Sequence, residues 1–272
     1  TRKESSAASD VYKRQAYGQA HGQAYDIVEY TINMPVLHIL SDITERNIDV
    51  LGFACYIWNI EMTLHIVDMV KAVRPDIKII LGGPEVSFTA DEILNRCAAV
   101  DYVVQGEGEE AFYQLISALI AGKDGLEEQI PGVRGRHISG RLLGSTDTVE
   151  VKDLSTIPFP YVEEDMIDLE HKIIYYESSR GCPFSCQYCL SGNKNTVRFF
   201  PQERTFKELQ WFIDHKVKQV KFVDRTFNCA PHHHRPMMEF MRDADTETNF
   251  HLEMEPELMT EWETNILCET PP

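Results

Sequence analysis

The first half of the chain alternates short apolar runs with longer amphipathic segments. Apolar residues that recur every three or four positions predict helices, and short runs rich in β-branched residues predict strands. In chain order the pattern predicts a strand at 26–30, a helix at 35–46, a strand at 49–55, a helix at 61–73, a strand at 77–81, a helix at 90–97, a strand at 102–104 and a helix at 109–120. Strands that alternate with helices of about 10 to 15 residues favour an α/β fold with a parallel, doubly wound sheet.

Loops follow three of these predicted strands, at 54–59, 82–85 and 106–109. Ligands of doubly wound sheets bind beyond the carboxyl ends of the strands, so we expect the three loops to surround one crevice. The candidate ligand-contacting residues are Tyr56, Gly82, Gly83, Pro84, Gly106, Glu107 and Gly108. Each glycine taken singly is better explained by a turn that needs a positive φ, which glycine adopts without steric cost, than by a ligand loop.

A connector leads from this region to a second series of alternating elements. Residues 130–143 predict a β-hairpin that turns at Ser139 and Gly140, and the proline-containing stretch 153–161 predicts an extended linker. The following pattern predicts strands at 172–176, 219–224 and 249–255, with helices at 201–216 and 237–242. These repeating strand–helix units suggest the first part of a (β/α) barrel, with about three of its strands.

Composition narrows the class of protein. A length of 272 residues with 43% apolar content allows one large or two medium globular domains. The formal net charge of −17 argues against a general nucleic-acid or anionic-membrane binder, because both need a basic surface. No apolar stretch is long enough to cross a bilayer, and the odd count of seven cysteines fits a reducing compartment, so we expect a cytoplasmic protein.

The ends of the chain suggest the following division. Residues 1–15 are polar without periodicity, and we expect them to be a disordered or non-native leader. We expect an α/β domain at 16–121, a hairpin and linker at 122–170, and the N-terminal part of a barrel at 171–272. Both ends are abrupt, which leads us to expect a fragment of a longer protein.

Three cysteines, Cys182, Cys186 and Cys189, occur with the spacing CxxxCxxC. This spacing gathers three soft thiolates on one short loop, and cysteine thiolates hold iron–sulfur clusters. A cluster of four irons held by three thiolates leaves one iron free to bind a small molecule.

Zinc and disulfides offer alternative explanations of the same cysteines. Structural zinc needs four ligands, usually in two pairs, and the nearby candidates for a second pair are Cys229 and the run His232, His233 and His234. We expect these histidines at the surface, because consecutive side chains diverge and the run lies in a proline-bounded loop. The odd number of cysteines disfavours a disulfide framework.

The sequence around the cysteines, residues 175–189 (YYESSRGCPFSCQYC), resembles the cluster loop of the radical S-adenosylmethionine superfamily. The resemblance implies a 4Fe-4S cluster whose open iron chelates S-adenosylmethionine, with the backbone at Tyr188 against the adenine. It further implies reductive cleavage to a 5′-deoxyadenosyl radical that abstracts hydrogen from an unactivated carbon of a small-molecule substrate. A reductant such as flavodoxin or ferredoxin would supply the electron.

Five further polar residues are candidates for this site. Glu177 and Arg180 flank the loop and could contact S-adenosylmethionine, and Asp224 closes a predicted strand whose end would face the cluster. Glu253 and Glu255 lie on the polar face of the last predicted strand, which would turn toward the barrel lumen. Alternatively, Glu253 and Glu255 lie at a strand end in solvent and contact no ligand.

Residues 25–120 resemble the cobalamin-binding domain that precedes many radical S-adenosylmethionine cores, through 49–53 (DVLGF), 80–85 (ILGGPE) and 101–110 (DYVVQGEGEE). The chain departs from that family in two ways: the first strand of the domain is missing, and His21 does not stand in an Asp-x-His-x-x-Gly loop. The resemblance implies bound cobalamin and methyl transfer to carbon, with ring formation or rearrangement as alternatives. A vestigial domain that binds nothing remains open. So does a different class of protein, namely a non-catalytic iron–sulfur redox or binding module or a zinc-structured adaptor.

Overall fold

The computed structural model describes residues 7–126, 129–163, 173–189 and 195–269. The chain divides into two compact units. The N-terminal unit comprises residues 11–152, and the C-terminal unit comprises residues 153–272 together with residues 1–10.

The N-terminal unit is a sheet with helices. Its elements are α1 (Ala7–Ala20), α2 (Val36–Glu45), β1 (Val50–Ala54), α3 (Ile60–Val73), β2 (Lys78–Gly82), α4 (Ala90–Arg96), β3 (Tyr102–Val104), α5 (Gly108–Ile120), β4 (Val133–Arg136) and β5 (Leu142–Gly144). The strands lie in the order β1-β2-β3-β4-β5. Strands β1 to β3 pair in parallel, and β4 and β5 extend the sheet in antiparallel fashion.

Side chains of β2 point alternately to two apolar clusters. Ile79 and Leu81 lie in the cluster formed with α2, α3 and α4, whereas Ile80 lies in the cluster formed with α5. Successive side chains of a strand point to opposite faces, so helices cover both faces of this sheet. This confirms the predicted α/β, doubly wound architecture.

Three parts of the N-terminal unit differ from the sequence-based expectation. Residues 26–30 form no strand, and the neighbouring Tyr25 instead packs its ring against Phe112 of α5. The hairpin expected in the connector is part of the sheet, because β4 pairs with β3. Residues 7–15, expected to be a disordered or non-native leader, lie within α1, where the buried Tyr17 packs near Tyr113 of α5. These contacts join residues that are distant in the chain, so local composition cannot predict them.

The C-terminal unit contains two smaller sheets. Its strands and helices are β6 (Ile174–Tyr176), β7 (Ser179–Gly181), β8 (Val197–Phe199), α6 (Gln202–Asp214), β9 (Gln219–Phe222), α7 (Pro231–Asp243), β10 (Asn249–His251) and α8 (Glu261–Glu269). Three-residue 3-10 turns occur at Leu154–Thr156, Phe227–Cys229 and Pro256–Leu258. Strands β10, β9 and β6 form a parallel sheet in that order, and β7 pairs with β8 in antiparallel fashion.

The parallel sheet of this unit has one apolar and one polar face. Ile174, Val220 and Phe250 lie in register and belong to the apolar cluster formed with α6 and α7. The next residue of each strand points to the opposite face. There Lys221 is half-buried and His251 is exposed, so the apolar face packs on the helices as expected.

Several predicted boundaries in the C-terminal unit were wrong. Helix α7 begins at Pro231, six residues earlier than predicted, because proline is favoured in the first turn of a helix. Strand β10 ends at His251, so residues 252–255 are not extended strand. The linker 153–161 contains a 3-10 turn, capped by the Asp153 side chain, which accepts the Ser155 N–H at 2.9 Å. Residue 172, the predicted start of β6, lies outside the described residues.

No helix in the described segments is both long enough and apolar enough to cross a membrane.

Candidate cofactor and metal sites

The loop after β1 presents an ordered pair of stacked aromatic rings. The Asn59 side chain closes this loop, since its Oδ1 accepts the Tyr56 N–H at 2.8 Å and its Nδ2 donates to the Ala54 carbonyl at 2.9 Å. The rings of Tyr56 and Trp58 stack with centroids 4.7 Å apart and an interplanar angle of 12°. Tyr56 is buried, while Trp58 is 51% exposed and Ile57 is 77% exposed. The loop therefore offers a flat apolar surface at the carboxyl end of β1.

The loop after β2 lies directly against this one. Gly83 has φ +111°, and a Cβ there would lie 2.5 Å from the Cys55 carbonyl oxygen. The Cys55 N–H donates to the Gly82 carbonyl at 2.6 Å, which joins the two loops. Gly83 is thus required by a close backbone approach, as the turn explanation of this glycine predicts. Phe88, further along the same loop, is a second exposed aromatic residue, at 51%.

The loop after β3 contacts the chain's own segment 145–151. Gly106 has φ +82°, and a Cβ there would lie 2.3 Å from the Val149 carbonyl oxygen. The Glu107 N–H donates to that carbonyl at 2.8 Å, and the Glu107 carboxylate accepts the Val151 N–H at 2.7 Å. A Cβ at Gly108 would lie 2.7 Å from the Arg14 side chain of α1. Gly106, Glu107 and Gly108 thus have partners within the N-terminal unit itself.

The structure therefore divides the predicted cofactor residues into two groups. It brings Tyr56 together with Gly82, Gly83 and the adjoining Pro84, and it surrounds Gly106–Gly108 with other parts of the unit. Sequence reasoning missed Trp58 and Phe88. An apolar aromatic residue in a loop predicted to follow a strand was the available signal for both.

The three-cysteine loop starts from a tight junction between β7 and β8. Gly181, the last residue of β7, has φ +103°, and a Cβ there would lie 2.0 Å from the Thr196 carbonyl oxygen. Only glycine fits this approach without a backbone shift. The antiparallel register pairs Gly181 with Val197, which fixes where the loop leaves the ladder.

The three thiols differ in their surroundings. Cys182 is half-buried, with its Sγ 3.4 Å from Thr226 Oγ1. Cys186 and Cys189 are exposed and share a turn in which the Cys189 N–H donates to the Cys186 carbonyl at 3.0 Å. Tyr188 is 92% exposed. A hydrogen bond with the Cys186 thiol raises the pKa of Tyr188, and the charges of both neighbouring cysteines add to this effect.

This donor set fits an iron–sulfur cluster in its chemistry, because three soft thiols lie on one accessible loop. Within residues 7–126, 129–163, 173–189 and 195–269, no three His, Cys, Asp or Glu side chains lie close enough together to hold a metal ion. The sulfurs in this structure are therefore not gathered around one point. The loop supplies suitable ligands without the geometry of a closed metal site.

Asp224 lies at the carboxyl end of β9 and is only 1% exposed. Its Oδ2 accepts the Ser178 N–H at 3.0 Å, and its Oδ1 accepts the hydroxyls of Ser178, at 2.7 Å, and of Ser179. Burial raises the pKa of Asp224 to about 6, against the lowering effect of these hydrogen bonds. Asp224 faces the turn between β6 and β7, immediately before the cysteine loop, and is enclosed there.

His233 extends this network. Its Nε2 lies 3.1 Å from Ser178 Oγ. Because the Ser178 hydroxyl proton is donated to Asp224, His233 Nε2 donates to Ser178. Burial lowers the pKa of His233 to about 4, so its imidazole is neutral at pH 7.

The expectation that the histidine run lies at the surface was wrong for two of its members. His233 and His234 are buried, because the run forms the first turn of α7 and one face of that turn packs inward. His234 Nε2 lies 3.1 Å from Glu263 of α8. His232 is exposed, as expected.

The other candidate acids and bases are partly paired with each other. Arg180 Nε donates to Glu177 Oε2 at 2.9 Å, and both side chains are largely buried beside the cysteine loop. Glu253 is exposed, with its carboxylate 3.2 Å from the Lys221 ammonium. Glu255 caps the 3-10 turn that follows it, accepting the Glu257 N–H at 3.4 Å, and its charge contributes to the raised pKa of Tyr188.

The first unit is a doubly wound α/β domain, and the second unit carries three cysteines on one loop. Residues 14–116 match the family model of the B12 binding domain. The chain is 31% identical over 194 residues to 2-(S-pantetheinyl)-carbapenam-3-carboxylate methyltransferase of Streptantibioticus cattleyicolor, covering 67% of this chain and 28% of that protein. It is 30% identical over 219 residues to the cobalamin-dependent radical SAM methyltransferase TokK of Streptomyces tokunonensis, covering 76% of this chain and 32% of TokK.

A solved structure shows the same fold. The cobalamin-dependent S-adenosylmethionine radical enzyme OxsB, with aqua-cobalamin and S-adenosylmethionine bound, matches with a TM-score of 0.73 at 16% identity, covering 96% of this chain and 38% of OxsB. The chain is thus similar to cobalamin-dependent radical S-adenosylmethionine methyltransferases, and its residues 14–116 match the B12 binding domain. It spans about a third of the length of these relatives.

Proposed function

We propose that the protein acts in cobalamin-dependent radical S-adenosylmethionine chemistry and transfers a methyl group to an unactivated carbon of a small-molecule substrate. The observation that carries this proposal is the joint presence of a B12-binding domain at residues 14–116 and a CxxxCxxC loop at the carboxyl end of β7. The methyltransferase names of its relatives support the reaction class.

Cys182, Cys186 and Cys189 would hold the 4Fe-4S cluster. When bound, the cluster and S-adenosylmethionine supply a 5′-deoxyadenosyl radical that abstracts hydrogen from the substrate. The chain's own contribution is to fix one end of the loop through the β7–β8 ladder and to leave Cys186 and Cys189 accessible. Three thiolates without a fourth protein ligand would leave one iron for S-adenosylmethionine.

The apolar edge of the N-terminal unit would bind cobalamin. Tyr56, Ile57 and Trp58 form this edge, and a flat macrocycle can cover exposed aromatic rings of this kind. Phe88 in the loop after the next strand is also exposed. The Asn59 hydrogen bonds hold the β1 loop in place before any ligand arrives, so little ordering entropy is lost on binding. This preorganised surface favours cobalamin binding over a vestigial domain.

The radical step also needs an electron donor. A reductant such as flavodoxin or ferredoxin would supply it, and the exposed Cys186 and Cys189 are accessible to such a partner. The partner and the substrate remain proposals.

The cluster is tested by anaerobic reconstitution with iron and sulfide. We expect close to four irons and four sulfides per chain, and loss of most of this iron in Cys186→Ala. Cys268→Ala is the matched control, because Cys268 is also exposed but lies in α8, outside the loop. Bound zinc without sulfide would overturn the proposal in favour of a zinc adaptor.

Turnover separates an enzyme from an electron carrier. With S-adenosylmethionine and dithionite, the reconstituted protein should form 5′-deoxyadenosine. A reconstituted cluster that forms none would support the non-catalytic redox module.

Cobalamin binding is tested by equilibrium dialysis of hydroxocobalamin. Trp58→Ala should weaken binding by about tenfold or more, because it removes a stacked ring and its buried contact area. Trp58→Phe keeps a flat ring and should retain most of the affinity, and Ile138→Ala, at an exposed hairpin residue, should leave it unchanged. No binding by the unmodified chain would favour the vestigial domain.

A further inference from the structure

We propose that Asp224 and His233 are positioning residues that hold the start of the three-cysteine loop, through Ser178 and Ser179, so that Cys182 is placed to ligate the cluster. This inference rests on the proposed function for the identity of the cluster. The geometry that carries it is the buried hydrogen-bond network between the carboxyl end of β9, the first turn of α7 and the turn that precedes the loop.

The turn between β6 and β7 is held from several directions. Its residue Ser178 gives its N–H and its hydroxyl proton to Asp224 and accepts from His233. The Ser178 carbonyl accepts the Phe200 N–H at 3.0 Å, which joins the turn to the end of β8. The Val223 N–H donates to the Tyr176 carbonyl at 2.8 Å, so β9 and β6 stay in register up to this point. Ser178 is therefore fixed by residues from three other elements.

The same segment that carries Asp224 also contacts the first cysteine. Thr226, two residues after Asp224, places its hydroxyl oxygen 3.4 Å from Cys182 Sγ. Ser179 lies three residues before Cys182 in the chain. Segment 224–226 thus holds both the backbone before the loop and the thiol at its start.

Burying the carboxylate of Asp224 costs desolvation free energy. Asp224 is 1% exposed, and apolar side chains of similar volume would pack there without the desolvation penalty of a charge. What the carboxylate provides is three directed acceptor contacts, which specify one conformation of the turn. Since it is enclosed, Asp224 acts on the site through Ser178 and Ser179 rather than by touching substrate.

The decisive comparison is between Asp224→Asn and Glu208→Gln. Asparagine keeps one acceptor oxygen but places an NH₂ donor against the serine donors. Glu208 is the matched control, because it is also a buried carboxylate of this unit, and it accepts from Tyr176 at 2.8 Å and from Arg204 at 2.5 Å without contacting the turn. Both variants should lower the melting temperature.

The readout that does not need the cluster is thiol alkylation of the iron-free chain. Iodoacetamide labelling followed by mass spectrometry gives a rate for each cysteine. In Asp224→Asn we expect labelling of Cys182 to rise at least about fivefold, while Cys186, already exposed, labels at its original rate. Glu208→Gln should change neither rate.

Reconstitution supplies the second readout. Iron content of Asp224→Asn should fall by about half or more, and the EPR signal of its reduced cluster should broaden, whereas Glu208→Gln should match the unmodified chain. Ser179→Ala is the milder variant to use if Asp224→Asn does not fold, and Ser179→Thr, which keeps the hydroxyl, should restore iron uptake.

Equal Cys182 labelling and equal iron content in Asp224→Asn, Ser179→Ala and the unmodified chain would overturn the positioning role. Failure of the unmodified chain to take up iron would instead overturn the proposed function. The alkylation rates report on the position of Cys182 in either case, so the two failures are distinguishable.

Discussion

Asp224 and His233 should give the C-terminal unit two opposite pH dependences of stability. Both are buried, and burial disfavours the charged form of each, which raises the pKa of Asp224 from 3.8 to about 6 and lowers that of His233 from 6.5 to about 4. A difference in pKa between the folded and unfolded states makes the free energy of unfolding depend on pH.

The sign of each effect follows from which state binds the proton first. As the pH falls, folded Asp224 is protonated before the unfolded chain, so its contribution is greatest at low pH and is lost as the pH rises through about 6. For His233 the unfolded chain is protonated first, so stability is lost as the pH falls from about 6.5 toward about 4. Between about pH 7.5 and about pH 4.5 each effect amounts to about 2 kcal/mol. In the unmodified chain the two nearly cancel.

Single substitutions should reveal the pH dependence of the free energy of unfolding that each residue causes. Asp224→Asn leaves the His233 effect, so its stability relative to the unmodified chain should fall by about 2 kcal/mol over this pH range. His233→Gln leaves the Asp224 effect, and its relative stability should rise by a similar amount. Glu177 acts on the pKa of Asp224, and His232 and His234 act on that of His233. All three are present in the unmodified chain and in both variants, so the comparison isolates the substituted group.

The assay is urea unfolding followed by tryptophan fluorescence at several pH values. In a Trp58→Phe background the remaining tryptophans, Trp211 and Trp262, both report on the C-terminal unit. For each variant, the free energy of unfolding relative to the unmodified chain is plotted against pH. A difference that is constant within about 0.5 kcal/mol, or that changes in the same direction for both variants, would refute the pH dependences assigned to Asp224 and His233.

Two further substitutions test the packing of each unit. Gly83→Ala should destabilise the N-terminal unit by about 3 kcal/mol or more, because its Cβ would collide with Cys55, whereas Gly140→Ala, also at positive φ but with nothing within 4 Å, should cost about 1 kcal/mol in thermal unfolding. Glu263→Gln should cost about 1 to 3 kcal/mol and raise amide exchange in α8, since buried Glu263 accepts from Arg235 at 2.9 Å and from the Thr260 N–H at 2.9 Å. Glu261→Gln, at an exposed residue of the same helix turn, should change neither quantity, and equal effects of the two would show that the buried contacts of Glu263 do not stabilise α8.

Local periodicity was enough to place most elements of the fold. The predicted helices at 61–73 and 109–120 correspond to α3 and α5, and the predicted strands at 77–81 and 102–104 correspond to β2 and β3. The two helices carry apolar residues every three or four positions, and the two strands are short runs rich in β-branched and other apolar residues. The predicted strand at 26–30 failed, because Val28 is exposed, Tyr30 packs as a single side chain, and the segment pairs with no strand.

The candidate site residues likewise include some that the local sequence indicates and some whose surroundings it does not indicate. The spacing of Cys182, Cys186 and Cys189 is a property of one short segment, so the sequence alone indicates them as candidate ligands. Asp224 was singled out from its place at a strand end, but its partners Ser178 and Ser179 are 46 and 45 residues away in the chain. No local pattern could show that this carboxylate would be enclosed.

The sequence by itself determined the alternation of strands and helices, the acidic charge and the three-thiol loop, because each depends on neighbouring residues or on composition. Only the tertiary structure decided that Trp58 stacks in the open on Tyr56, that segment 145–151 covers Gly106 and Glu107, and that His233 and Asp224 meet at Ser178. Burial and hydrogen-bond partners are set when distant segments pack together, and the free energy of that packing is a property of the whole unit rather than of any stretch of its sequence.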